Sequence, residues 1–109
     1  MRLEVLVDDA TYPLEIPTGL LAQAQDFFSK MDRDMDGGWQ MSRDYVERPD
    51  ALQRCQIVAN RLLTAMENGN DKTALLMAGY ILSRMPGVTA IAVDTTGEMQ
   101  NTEILFGHK

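Results

Sequence analysis

The sequence predicts one α+β domain spanning residues 1–109, in which helices pack on one face of a mainly antiparallel sheet. Apolar and polar residues alternate in two short arms at the N-terminus, and a second pair of β-prone runs stands at the C-terminus. Between these pairs, apolar residues recur with the spacing of helices. A chain of 109 residues can bury one core but is too short for two domains.

Residues 1–16 predict the first hairpin. The apolar positions of its two arms are Leu3, Val5 and Val7, then Tyr12, Leu14 and Ile16. Pro13 has no N–H, so the second arm is expected at an edge of the sheet. The opposite edge is then the one open to another strand, and we expect a monomer or an edge-paired homodimer.

Three helices are predicted between the hairpins. The first covers residues 18–31 with Thr18 as its cap, and it is expected to end where a run of acidic residues begins. Asp50 is expected to cap the second helix, which ends at Asn68-Gly69. Asn70 is expected to cap the third, which is apolar almost all round and therefore predicted to be the most buried.

The C-terminal part predicts a second hairpin. Residues 88–93 form a continuous β-prone run, which is typical of a strand buried on both faces or nearly so. Residues 103–106 follow as its partner strand after a turn containing Gly97.

Charge and composition limit the classes of partner. The net charge is −6, and an acidic chain repels phosphate backbones, so nucleic acid is not expected as a partner. No apolar run approaches about 18–20 residues, so no membrane span is predicted. Cys55 is the single cysteine and excludes an internal disulfide, which makes a reducing cytoplasm the expected location.

The sequence contains no recognisable catalytic motif. Its one histidine, His108, is the penultimate residue, where nothing can orient it as an acid or base. Cys55 lies on the apolar face of a predicted helix, where a thiol behaves as a small hydrophobic group. No glycine-rich phosphate loop is present. We therefore assign no catalytic residue and favour a non-enzymatic role, although an enzyme using scattered carboxylates remains a third reading.

Residues 32–37 carry the most distinctive pattern of the chain, with acids at alternate positions before two glycines. This pattern resembles the start of an EF-hand calcium loop, and the resemblance covers residues 32–43. It implies that Asp32, Asp34 and Asp36 supply side-chain oxygens and that Gly38 supplies a backbone carbonyl. It therefore implies calcium or magnesium as a ligand.

The same segment departs from the EF-hand pattern at its closing position. Arg43 stands where a carboxylate normally provides two oxygens, so any cation is expected to bind weakly. Arg33 and Arg43 are instead expected to neutralise the acidic side chains. The purely structural alternative is that this segment is a solvated acidic turn. Residues 32–49 are predicted as a long connection, with a short helix near residues 42–47.

The favoured interpretation is a small non-enzymatic interaction or accessory protein. Its predicted partner surface consists of Trp39, Met41, Arg43 and Arg48, because the segment combines an aromatic, flexible thioethers and arginines without catalytic groups. The alternative is a degenerate, EF-hand-like cation-binding module.

Overall fold

The computed structural model describes residues 1–107, so His108 lies outside the described residues. The elements follow the order β1 (Arg2–Val7), β2 (Ala10–Glu15), α1 (Thr18–Gln23), α2 (Gln25–Asp36), β3 (Trp39–Met41), β4 (Asp44–Val46), α3 (Ala51–Glu67), α4 (Asp71–Arg84), β5 (Val88–Val93) and β6 (Glu103–Phe106). A 3-10 turn, Met99–Asn101, precedes β6.

The main sheet has the strand order β2-β1-β5-β6. β1 pairs with β2 and β5 pairs with β6 in antiparallel hairpins, whereas β1 and β5 run parallel to each other. The predicted α+β class, with a mainly antiparallel sheet built from two hairpins, is confirmed. The two hairpins meet through the parallel ladder, in which Val5 lies beside Ile91.

One face of this sheet is buried and the other is accessible. Leu3, Val5 and Ile91 point into the core and are fully buried. Thr89 is exposed and Ala90 and Ala92 are half-buried, so β5 is less buried than predicted for a strand buried on both faces or nearly so. The alanines are short and tolerate partial exposure, which a β-prone run does not reveal on its own.

Side-chain caps start the two long helices as predicted. Asp50 Oδ1 accepts the Gln53 N–H at 2.8 Å, and Gln53 Oε1 accepts the Asp50 N–H at 3.0 Å, which completes a capping box. Asn70 Oδ1 accepts the Thr73 N–H at 3.2 Å. The prediction that Thr18 caps the first helix is wrong, because Pro17 occupies the cap position and Thr18 is already helical.

The predicted first helix is divided at Ala24 and continues beyond its predicted end. α1 stops at Gln23, and α2 then runs through the acidic run to Asp36. The apolar stripe of α2 continues to Met35, which is buried, so packing carries the helix past residue 31.

Residues 39–46 form a small hairpin. β3 pairs with β4 in antiparallel register, and Ser42 in the turn has a φ of 61°. The predicted long connection and the short helix near residues 42–47 are therefore wrong. The side chains of Trp39, Met41 and Val46 lie on one face of this hairpin and pack against the core.

The helices and the buried sheet face share one contiguous core. Phe28 of α2 and Tyr80 of α4 pack edge to face, with ring centroids 5.9 Å apart. Gly79 lies beside them, and a Cβ at this position would be 3.1 Å from the Phe28 ring. The absence of a side chain thus lets α2 approach α4 closely.

None of the helices within residues 1–107 has the length and apolar character needed to cross a bilayer.

We expect Gly79→Val to lower the free energy of unfolding by about 1–3 kcal/mol, because a branched side chain would overpack the contact with Phe28. Gly37→Ala is the matched control, since nothing lies within 4 Å of its added Cβ. The control should change stability by less than about 1 kcal/mol. Urea unfolding of both variants measures the difference, and equal stabilities would contradict the close approach of α2 to α4.

Candidate functional site

Asp32 lies near the end of α2, at the point where α2, α3 and α4 meet. Its side chain is 28% exposed. Oδ1 accepts hydrogen bonds from the Tyr80 hydroxyl and from Arg54 Nη1, and Oδ2 accepts hydrogen bonds from Arg84. One carboxylate from α2 is thus bonded to side chains from both long helices.

Arg54 of α3 uses its whole guanidinium group in this arrangement, and its side chain is only 16% exposed. Nε donates to the Pro49 carbonyl at 2.9 Å, Nη1 donates to the Asp32 carbonyl at 3.2 Å, and Nη2 donates to Asp36 Oδ1 at 2.6 Å. The planar group therefore joins the start of α3 to the last turn of α2.

Arg84, in the last turn of α4, binds Asp32 from the other side. Its Nε and Nη2 lie 3.1 and 2.9 Å from Asp32 Oδ2. The guanidinium carbon is 5.1 Å from the centroid of the Tyr80 ring and 5.8 Å from that of Phe28. Such positions over aromatic rings stabilise a partly desolvated cation.

We call Asp32, Asp36, Arg54, Tyr80 and Arg84 the Asp32 network. Burial alone would raise the pKa of Asp32, but hydrogen bonds from Tyr80, Arg84 and Arg54 outweigh it and hold the pKa below its ordinary value. Burial and the hydrogen bond to Asp32 raise the pKa of Tyr80. Two carboxylates and two guanidiniums cancel, so the network is neutral and Tyr80 stays protonated.

A shallow cleft of about 330 Å³ opens beside the network, lined by Asp32, Pro49, Ala51, Arg54, Tyr80 and Arg84. The polar groups that line this cleft are bonded to one another. A general base needs a free lone pair within reach of a substrate proton, and Asp32 has already accepted several hydrogen bonds. The arrangement is therefore suited to joining three helices.

The three alternate acids do not lie on one side of α2. Residues two apart on a helix are separated by about 200°, so Asp34 points away from Asp32 and Asp36. Asp34 is exposed. Within residues 1–107, no group of three or more His, Cys, Asp or Glu side chains is placed to hold a metal ion. Gly38 follows α2 with a φ of 102° and is half-buried. Whether this segment binds a cation stays a prediction.

Asp32 and Asp36 are neutralised by arginines other than those predicted. Arg54 binds both carboxylates and Arg84 binds Asp32, whereas Arg33 and Arg43 are exposed. The sequence does hold one signal for Arg54, which precedes the buried Cys55 and lies four residues before the buried Val58. An arginine in this position has its stem against the core. No local signal marks Arg84 as the second partner.

Cys55 is fully buried, as predicted from its place on the apolar face of α3. Burial raises the pKa of its thiol to about 12. A thiol with that pKa is not ionised at neutral pH, so it is not activated as a nucleophile.

The residues of the predicted partner surface are divided between core and surface. Arg43 and Arg48 are exposed and Trp39 is half-buried, but Met41 is fully buried, so its assignment to a surface is wrong. Met41 occupies the inward position of β3, which a longer, structureless connection would not define. The structure adds Tyr45 of β4, which is 59% exposed.

Comparisons of the chain with protein-family models, with curated proteins and with solved structures gave no match.

We expect Asp32→Asn to lower the free energy of unfolding at pH 7 by about 2–4 kcal/mol, because it leaves two partly buried guanidiniums without their shared counter-charge. Asp34→Asn is the matched control on the same helix and should change stability by less than about 0.5 kcal/mol. Urea unfolding measures both, and equal effects would contradict the network.

The stability difference between the parent and Asp32→Asn has a defined pH dependence. Because the pKa of Asp32 is lowered in the folded protein, its contribution is fully present above its ordinary value of 3.8 and is lost as the pH falls through the lowered value. The stability difference between the parent and Asp32→Asn should therefore be constant from pH 7 to about 5 and shrink below pH 4. A difference that grows with acidification would contradict this assignment.

Proposed function

We propose that the protein is a non-enzymatic interaction protein whose contact surface is the β3–β4 hairpin. The contact surface consists of the exposed Arg43 and Tyr45 of the hairpin, the exposed Arg48 just after it, and the half-buried Trp39 of β3. The observation that carries this proposal is the fixed, exposed ring of Tyr45. Tyrosine and arginine are the side chains that most often supply binding energy in protein interfaces.

Tyr45 is held in place by the end of α2. Its hydroxyl donates a hydrogen bond to the Gly37 carbonyl at 3.0 Å, and its ring passes over Gly38. A Cβ on Gly38 would lie 2.1 Å from the Tyr45 hydroxyl oxygen, so glycine is needed for this position. A ring fixed before binding loses little conformational entropy in a complex.

The hairpin itself is anchored at its base and turn. Met41 is in the core, and Ser42 Oγ accepts the Met99 N–H at 2.9 Å. Asp44 Oδ2 accepts a hydrogen bond from Gln100 Nε2 at 3.0 Å. The exposed side chains of the hairpin thus stand on backbone that is bonded to the rest of the domain, as a preformed interface requires.

The chemistry of the described residues supports a role without catalysis. Strongly shifted pKa values cluster at catalytic sites when a titrating group faces a substrate cavity. Here burial in the core raises the pKa of Cys55, and burial together with the hydrogen bond that the Tyr80 hydroxyl donates to Asp32 raises the pKa of Tyr80. The raised pKa values of both groups are therefore explained by burial and, for Tyr80, by its hydrogen bond to Asp32.

The alternative is a weak cation site near the end of α2. Asp34 and Asp36 are exposed close to the C-terminal end of this helix. The helix dipole is negative there, so it favours a cation at either carboxylate, at Asp36 through the oxygen that Arg54 does not bind. Asp32 contributes little, because both of its oxygens already accept hydrogen bonds from protein groups.

We expect a photo-reactive phenylalanine analogue at position 45 to form a discrete adduct with a partner when the protein is irradiated in its own cells. The same analogue at position 12 is the matched control, since Tyr12 is also an exposed tyrosine but lies on β2, away from the hairpin. Adding Arg43→Ala to the first protein should reduce the adduct about tenfold, because an interface arginine typically contributes 1–2 kcal/mol.

Equal labelling from positions 45 and 12 would show that the hairpin is not the contact surface. Arg43→Ala should leave the free energy of unfolding within about 0.5 kcal/mol of the parent, because Arg43 is exposed. A lost adduct in a folded protein therefore reports on binding.

Isothermal titration with Ca²⁺ in metal-free buffer tests the alternative. We expect a dissociation constant weaker than about 1 mM, since two carboxylates on different sides of a helix cannot supply the six to eight oxygens that calcium prefers. Binding tighter than this, lost in Asp36→Asn and kept in Asp71→Asn, would establish the cation module instead. Arg43→Glu should strengthen binding only if the segment can adopt EF-hand geometry.

A further inference from the structure

β6 is one of the two edge strands of the main sheet, and β2 is the other. We propose that two copies of the chain pair β6 against β6 in antiparallel orientation, around a two-fold axis centred on Leu105. The dimer would contain a continuous eight-stranded sheet with the helices of both copies on the same face. This proposal uses none of the residues of the hairpin surface.

The two edges of the sheet differ in how well they accept another strand. β2 carries Pro13, which cannot donate a ladder hydrogen bond, and proline is one of the residues that protect natural edges. β6 contains neither proline nor lysine, and its one charged residue is Glu103. Leu105 is 36% exposed and Phe106 is 48% exposed. An unprotected apolar edge is a site for strand addition.

The direction of the backbone groups determines the register of the pairing. The Leu105 carbonyl accepts a hydrogen bond from Thr89 Oγ1 of β5 at 3.4 Å, so the peptide groups of Leu105 face β5. Backbone groups alternate along a strand, so those of Ile104 and Phe106 face the open edge. Centring the axis on Leu105 places Ile104 opposite Phe106 of the second copy, twice, and allows four backbone hydrogen bonds.

The side chains are complementary in the same register. Leu105 lies opposite Leu105 of the second copy, and Glu103 lies opposite Gly107, so no like charges face each other across the axis. Centring the axis on Ile104 instead would place Glu103 opposite Leu105. Within the strand, it would also leave only one pair of opposite residues that exchange backbone hydrogen bonds. The Leu105-centred register is therefore favoured.

The size of the contact sets its strength. Each copy contributes a strand of 4 residues, which places the interface among the small, transient class. The dimer should therefore exchange with monomer in a concentration-dependent way. Each copy carries a net charge of −6, so added salt should strengthen the association by screening the repulsion.

Disulfide cross-linking tests the register directly. In this pairing the two Leu105 Cα atoms are about 4.5 Å apart, within the range of a disulfide. We expect Leu105→Cys to form a covalent dimer under mild oxidation at least about tenfold faster than Tyr12→Cys, the exposed control on β2. Glu103→Cys should also stay slow, because its two copies would be about 14 Å apart along the strands. The native Cys55 is fully buried and does not compete.

Equal cross-linking at positions 105, 103 and 12 would overturn the proposal, because it would show random collision only. Sedimentation velocity supplies a second readout without new cysteines. The parent should sediment faster as its concentration rises from about 1 µM to 1 mM, and Leu105→Lys should raise the dissociation constant about tenfold by placing two cations opposite each other.

Leu105 lies on the accessible face of the sheet. An amide NMR spectrum of the diluted Leu105→Lys variant that matches that of the diluted parent would show that the variant is folded. A parent that remains monomeric up to 1 mM, or a dimer that Leu105→Lys does not weaken, would refute pairing at this edge. Pairing confirmed here would leave the hairpin proposal untested, and its failure would leave that proposal standing, since the two surfaces share no residue.

Discussion

The neutralisation of Asp32 is the interaction on which the arrangement of the helices depends. Asp32 brings a carboxylate into a partly buried position beside Tyr80, where an uncompensated charge would cost several kcal/mol. Arg54 and Arg84 supply the counter-charge from α3 and α4. Because each guanidinium also bonds to a second group, the geometry of the ion pairs fixes the position of α2 against both long helices.

The position of the hairpin surface depends on α2, the helix that carries Asp32. α2 ends at Asp36, and Gly37 and Gly38 then supply the carbonyl and the open space that hold Tyr45. Met41 extends from β3 into the core that α2 helps to build. The proposed contact surface is therefore coupled to the Asp32 network through one helix end, although the two share no side chain. A loss of the network would disturb the hairpin without any change in its own sequence.

Features set by neighbours in the chain could be predicted from the sequence, and features set by distant residues could not. The two hairpins and the caps at Asp50 and Asn70 depend on local periodicity and on short side chains. The extension of α2 to Asp36 was missed because acids and glycines favour a turn, whereas burial of Met35 favours the helix. The ion pairs join Asp32 to arginines 22 and 52 positions away, and charge patterns along the chain do not specify such partners.

The parallel pairing of β1 with β5 also bears on how the protein is made. Glu4 lies beside Ala90 in this ladder, so the centre of the sheet joins two strands that are separated in the chain by residues 8–87. The hairpin β1–β2 can form early, but its inner edge has no partner strand until β5 has been synthesised. During synthesis that edge is exposed and apolar, and this is the interval in which a nascent chain is most open to chaperones or to incorrect pairing.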